Sequence, residues 1–151
     1  MGPEGKERMM GATGSLELRL PTSIVLEFIR HLNQGDLESL VPFLTSDHIL
    51  VEGRALSMKG KFRALCHWRD VFSSSPGYRI EILDLEELAE SVFVVGHVSR
   101  DSGSGDRSRV PTTWYARVEN GMIAEWLAFA DKEAEQPPAR RVDVGLRSCM
   151  A

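Results

Sequence analysis

An Asn120-Gly121 pair set between two alternating runs, from Val110 to Asp131, constrains this chain more than any other feature. A two-residue Asn-Gly loop suits a turn whose twist matches that of two antiparallel strands, so the stretch predicts a long hairpin. Side chains alternate along a strand. One arm therefore places Thr112, Trp114, Ala116 and Val118 on one face, and Thr113, Tyr115, Arg117 and Glu119 on the other. The second arm places Trp126, Ala128 and Ala130 on one side and Ile123, Leu127 and Phe129 on the opposite side. Being apolar on both faces, it belongs inside a sheet, with two tryptophans near each other on paired strands.

Upstream of the hairpin the periodicity is first helical and then alternating. Ile24, Val25, Phe28, Ile29 and Leu32 recur at helical spacing, with Thr22 or Ser23 as cap and Gly35 as stop. Asp36 caps a second, shorter helix carrying Leu37, Leu40, Val41 and Leu44, which Pro42 kinks or shortens. His48 to Glu52 reads as a short strand and Gly53 to Gly60 as a mixed loop. Phe62, Leu65, Cys66 and Phe72 mark a third helix. After the breaker Ser73 to Gly77, a strand begins with Tyr78, Ile80 and Ile82, and Val92 to Arg100 supplies the next. Asp101 to Arg109 reads as a polar loop. Helices first and consecutive strands afterwards predict an α+β domain with a mainly antiparallel sheet rather than alternating βαβ units.

The expected organisation is a flexible leader over residues 1–20, one domain over 21–132 and a polar tail over 133–151. A chain of 151 residues with 42% hydrophobic and 26% charged residues can bury a core as one soluble domain. A net charge of −4 leaves no basic footprint for nucleic acid. No apolar run reaches membrane-spanning length, and Cys66 and Cys149 imply no disulfide framework, so a cytoplasmic setting is expected. No histidine pairs with acids at metal-ligand spacing. Neither a metal nor a cofactor is expected.

Leu32-Asn33-Gln34-Gly35-Asp36-Leu37, Lys59-Gly60, and Asn120-Gly121-Met122-Ile123 with Trp126 and Asp131 resemble the SnoaL-like branch of the nuclear transport factor 2-like superfamily. That superfamily also includes ketosteroid isomerases and limonene epoxide hydrolases. The resemblance spans Pro21 to Asp131, roughly three quarters of the chain. It implies a cone in which three N-terminal helices pack in a curved sheet around an apolar pocket, and frequent homodimerisation. It disfavours steroid isomerisation, because the three catalytic positions of the isomerases fall at Phe28, at or near Gly53, and near Trp114, which supply no base and no matching donors. Glu52 is no easy substitute by this reading, since a one-residue shift along a strand turns the side chain to the other face.

The resemblance turns one face of the strand Val92 to Arg100 toward the cavity, and this makes His97 the acid/base candidate, on the face shared by Phe93, Val95 and Ser99. Asp131 is the second catalytic candidate, by likeness to the acid/base aspartate of the polyketide cyclases. Phe28, Trp68, Phe93, Val95, Trp114 and Trp126 are the expected ligand-binding residues, with tryptophans either lining or filling the cavity. His67, beside Trp68, has a claim to the pocket rim. The functional expectation is a SnoaL-like protein binding a hydrophobic small molecule, with cofactor-free isomerase, cyclase or hydrolase chemistry. The alternative is a noncatalytic binder or a dimeric interaction module using Tyr115, Arg117, Leu127 and Phe129.

Overall fold

The computed structural model describes residues 20–53, 56–101 and 107–130. The expected leader up to residue 19, the tail, Asp131 and most of the Asp101 to Arg109 loop lie outside them. Helix α1 spans Pro21–Gln34 and buries Ile24, Val25, Phe28, Ile29 and Leu32. It starts two residues earlier than a Thr22 cap predicts and three earlier than a Ser23 cap. Pro21, with its fixed φ and no N–H to satisfy, opens the helix, and Thr22 instead uses its N–H and hydroxyl on Glu87 Oε1, at 3.1 and 2.5 Å. Gly35, at φ 65°, closes it. Helix α2 is the short Leu37–Leu40, capped by Asp36 accepting from Ser39 N–H at 3.3 Å. Pro42 then confines the chain to a 3-10 turn, Val41–Phe43.

Strand β1 (Leu44–Glu52) is longer than predicted, and the expected loop contains a four-residue edge strand, β2 (Leu56–Lys59). Helix α3 runs Lys61–Ser74 and buries Ala64, Cys66, His67 and Trp68. Phe62, expected on its apolar stripe, is 64% exposed. Cys66 is not a free thiol, although the sequence by itself implies no disulfide framework. Strands β3 (Arg79–Leu88), β4 (Ser91–Asp101), β5 (Arg107–Glu119) and β6 (Met122–Ala130) complete a six-stranded sheet in the order β2-β1-β6-β5-β4-β3. Only β1 and β6 pair in parallel. This is the α+β cone anticipated from the sequence, and β6 is interior as its two apolar faces require.

Asn120 and Gly121 both adopt positive φ, 53° and 77°, as a two-residue hairpin turn demands. Thr112, Trp114, Ala116 and Val118 form the buried face of β5 as predicted. On β6 a register shift between the Arg117–Glu125 and Val118–Ile123 pairs inserts Ala124 and brings Ile123 to the same interior as Trp126, correcting the strict alternation. A second bulge lies in β3, between Ile82 and Asp84. Beside it a Cβ at Gly96 would stand 1.9 Å from the Glu81 carbonyl oxygen, so the two strand backbones approach as closely as they do only because position 96 lacks a side chain.

Candidate active site

Glu52 from β1, His67 from α3, Arg100 from β4 and Tyr78 from the residue that leads into β3 come together at the end of the cone opposite the Asn120-Gly121 turn. The alternation of β1 decides the first. His48 and Leu50 are fully buried, and Glu52 follows them on the same inward face. The predicted orientation of Glu52 is therefore reversed, and it is Gly53 that turns away. Helix α3 carries His67 across from it, and His67 Nε2 lies 3.1 Å from Glu52 Oε1. The histidine is 6% exposed and the carboxylate 23%, so the pair is sheltered yet within reach of solvent.

Arg100 and Tyr78 close the group. Arg100 shares its strand face with the buried Val92, Val94 and Val98, and its guanidinium carbon stands 5.4 Å from the centre of the Tyr78 ring. Burial pushes the Glu52 carboxyl up, but the His67 charge, the hydrogen bond from His67 and the Arg100 charge together hold it below the ordinary carboxylate value. Burial, reinforced by the Glu52 charge, drives the Tyr78 phenol far above its ordinary value, and Arg100 offsets only part of this. Tyr78 is thus a neutral hydroxyl, 5% exposed, and its oxygen has no hydrogen-bond partner among the described residues.

Beneath this group lies an aromatic floor. Trp68 packs edge-on to Tyr78 at 5.9 Å and to His67 at 5.1 Å. Trp126 meets Phe28 at 5.0 Å and Trp114 at 6.4 Å. All three tryptophans and Phe28 are fully buried, which agrees with their predicted inward placement. Each indole N–H lacks a hydrogen-bond partner among the described residues.

The remaining predicted residues lie elsewhere. Phe93 and Val95 are 37% and 44% exposed, so the face of β4 that carries them and the half-buried His97 is the outer face of the sheet. The expectation that it turns toward the cavity is corrected. Strand β4 is apolar on both sides, and the smaller Val92, Val94 and Gly96 fit the concave side while Phe93 projects from the convex one. His97 is flanked in register by Glu81 and Pro111, remote in pairing from Glu52. Asp131 lies outside the described residues. His48 is fully buried, its Nδ1 donating to the Ile123 carbonyl at 2.8 Å; burial first of all pulls its pKa below the ordinary histidine value.

The geometry supplies a positioned proton carrier. A neutral imidazole that donates Nε2–H to Glu52 leaves Nδ1 as a proton acceptor. The carboxylate fixes the tautomer and stabilises the imidazolium formed when Nδ1 takes a proton. Tyr78 and Arg100 add donors for an oxygen that gains charge. Among the described residues no group of three or more His, Cys, Asp or Glu is arranged to hold a metal ion.

Solved structures with the same fold include an LEH-like epoxide hydrolase from M. tuberculosis, at TM-score 0.69 and 17% identity over 85% of this chain and 95% of that one. A protein from Jannaschia sp. CCS1, provisionally named a SnoaL-like polyketide cyclase, aligns at TM-score 0.67 and 15% identity over 76% and 87%. An NTF2-like protein of unknown function from Cytophaga hutchinsonii aligns at 0.63 and 14% over 75% and 91%. Such identities establish the fold and leave the chemistry to the residues. No curated protein is significantly similar in sequence. The SnoaL-like domain family model matches residues 25–126, across both the helices that carry His67 and the hairpin that carries Trp126, and the chain belongs to that family.

Proposed function

We propose that the protein binds an apolar small molecule over the aromatic floor and moves a proton on it without a cofactor, using His67 positioned by Glu52. The observation that carries this reading is the 3.1 Å contact between His67 Nε2 and Glu52 Oε1 beside a buried, unpartnered Tyr78 hydroxyl. His67 serves as base and acid, Glu52 as its positioning residue, and Tyr78 and Arg100 as donors to a ligand oxygen. The test is a thermal-shift and native mass-spectrometry screen against steroids, terpenoid epoxides and aromatic polyketides. A ligand that stabilises the wild type and loses most of that gain in Tyr78→Phe supports the site. Silence across the panel, or a gain indifferent to Tyr78, removes it.

A homodimer is part of the same proposal. Phe93, Tyr115 and Leu127 form one row across β4, β5 and β6, and Val95, Thr113 and Phe129 the next. Phe93, Val95 and Phe129 together expose an apolar strip on the outer face. A strip of this kind fits self-association better than permanent contact with water. Localisation rests on less: among the described residues, no helix is long and apolar enough to cross a membrane.

A further inference from the structure

We propose that the groove between α1 and β3 binds a single-chain amphiphile with a carboxylate head, its alkyl chain along the exposed Leu26 and Ile82, above the buried Ile29 and Ile80, and its carboxylate held by Arg30 and Arg79. The groove encloses about 590 Å³ and lies at the edge of the sheet, separate from the Glu52–His67 group. Leu26, Ile29, Arg30 and Asn33 fall at helical i, i+3, i+4 and i+7 spacing and present one face of α1 to β3. Leu26 is 42% exposed on the helix side and Ile82 37% exposed on the strand side. Ile82 stands at the β3 bulge that the missing side chain of Gly96 permits, so this apolar exposure is built into the backbone.

Two observations select the ligand. The Asn33 amide imitates a neighbouring strand, with Nδ2 donating to the Ile80 carbonyl at 3.0 Å and Oδ1 accepting from the Ile80 N–H at 2.7 Å. Edge backbone groups that would recruit an added peptide strand are thereby satisfied at the centre of the groove, which favours a ligand held by side chains. The charges then set its head group. Glu81, the acid in the lining, is taken by Arg109 at 2.8 Å, whereas Arg30 and Arg79 have no acid partner among the described residues. An apolar floor with two unpaired guanidinium groups complements a carboxylate on an alkyl chain.

The test is independent of the Glu52–His67 reading. The full chain carrying 13C-methyl isoleucine is titrated with octanoate, 1-octanol and octylammonium while methyl resonances are followed. Octanoate is expected to shift Ile82 most and saturably, the buried Ile29 and Ile80 beneath it less, and to leave Ile24 and Ile123, which do not line the groove, in place. The alcohol and the amine should bind at least about ten-fold more weakly, the scale of one charge-assisted hydrogen bond. Arg30→Gln with Arg79→Gln should bring octanoate down to the alcohol's affinity, and Glu52→Gln should leave the octanoate affinity of the groove unchanged. Equal binding of the three ligands, shifts centred on Ile24 or Ile123, indifference to the paired arginine substitution, or no saturable shift would each overturn the proposal. Saturable binding of an extended acidic peptide in preference to octanoate would do so as well.

Discussion

His67 on α3 and Glu52 at the end of β1 meet at 3.1 Å across the interior, although fifteen residues, an edge strand and a helix turn separate them in the chain. The contact ties the helix layer to the parallel β1–β6 pair at the place where the aromatic floor approaches solvent. Because the Glu52 side chain is 23% exposed, the pair is expected to contribute near the surface range, about 0.5–1 kcal/mol. A double-mutant cycle with Glu52→Gln and His67→Gln, followed by denaturant unfolding, measures it. A coupling within that range leaves the pair free to serve chemistry rather than folding.

His48 sets the acid limit of the fold. Its folded pKa is lowered by burial, so below the ordinary value of 6.5 the unfolded chain takes up a proton that the folded chain refuses. Stability therefore falls as pH drops through about 6.5, by at most about 1.4 kcal/mol per pH unit. Glu52, also lowered in the folded state, adds a loss at lower pH, as acid reaches first its unfolded and then its folded value. Urea midpoints between pH 8 and pH 5 should decline in the wild type and flatten in His48→Leu. An unchanged decline in that variant would assign the titration to another group.

Gly96→Ala tests the β3 bulge. The added Cβ would lie 1.9 Å from the Glu81 carbonyl oxygen, which is backbone and cannot rotate away. The expected cost is about 2 kcal/mol or more, in the range of severe overpacking. Native-state hydrogen exchange should show the loss first in β3. Protection equal to wild type would mean that the edge strand shifts at little cost.

Trp126→Ala should remove about 3–5 kcal/mol, because the ring is fully buried against Phe28 and Trp114. Trp68→Phe should cost less, since it keeps an aromatic body and discards a buried indole N–H that has no protein partner. Chemical denaturation of the two variants decides the order. A larger loss for Trp68→Phe would show that its N–H is satisfied in solution.

Phe93→Glu and Phe129→Glu probe the outer face. Each puts a charge into the exposed apolar strip while leaving the cone interior intact. Sedimentation velocity is expected to show the wild type as a dimer and either variant as a monomer. A wild-type monomer at tens of micromolar would end the homodimer proposal.

Much of the fold was legible because its signals are local. The positive φ values that Asn120-Gly121 accepts, the five buried positions of α1 and the Asp36 cap each follow from neighbouring residues. What failed depended on phase. Strand β4 reads Val-Phe-Val-Val, apolar on both faces, so alternation alone gave no reason to turn Phe93, Val95 and His97 outward. The inserted Ala124 moved Ile123 beside Trp126, and the strand β2 is only four residues long. The candidate site was half visible. Its neighbour Trp68 gives His67 a claim to the rim, but the one-residue offset from Gly53 points Glu52 to the wrong face, and nothing local to Tyr78 or Arg100 brings the two together. That meeting is fixed by the curvature that brings the ends of β1, β3 and β4 over α3.

The measurement that most directly tests His67 and Glu52 as the working pair is hydrogen–deuterium exchange into a ligand recovered from the screen, followed by NMR across pH 5 to 9. The wild type is expected to catalyse exchange at an acidic C–H of that ligand. His67→Gln should reduce the rate by at least about 100-fold, the lower end of general acid–base contributions. Glu52→Gln should reduce the rate and move its pH dependence while ligand affinity is retained. Exchange at the wild-type rate in His67→Gln would contradict the account.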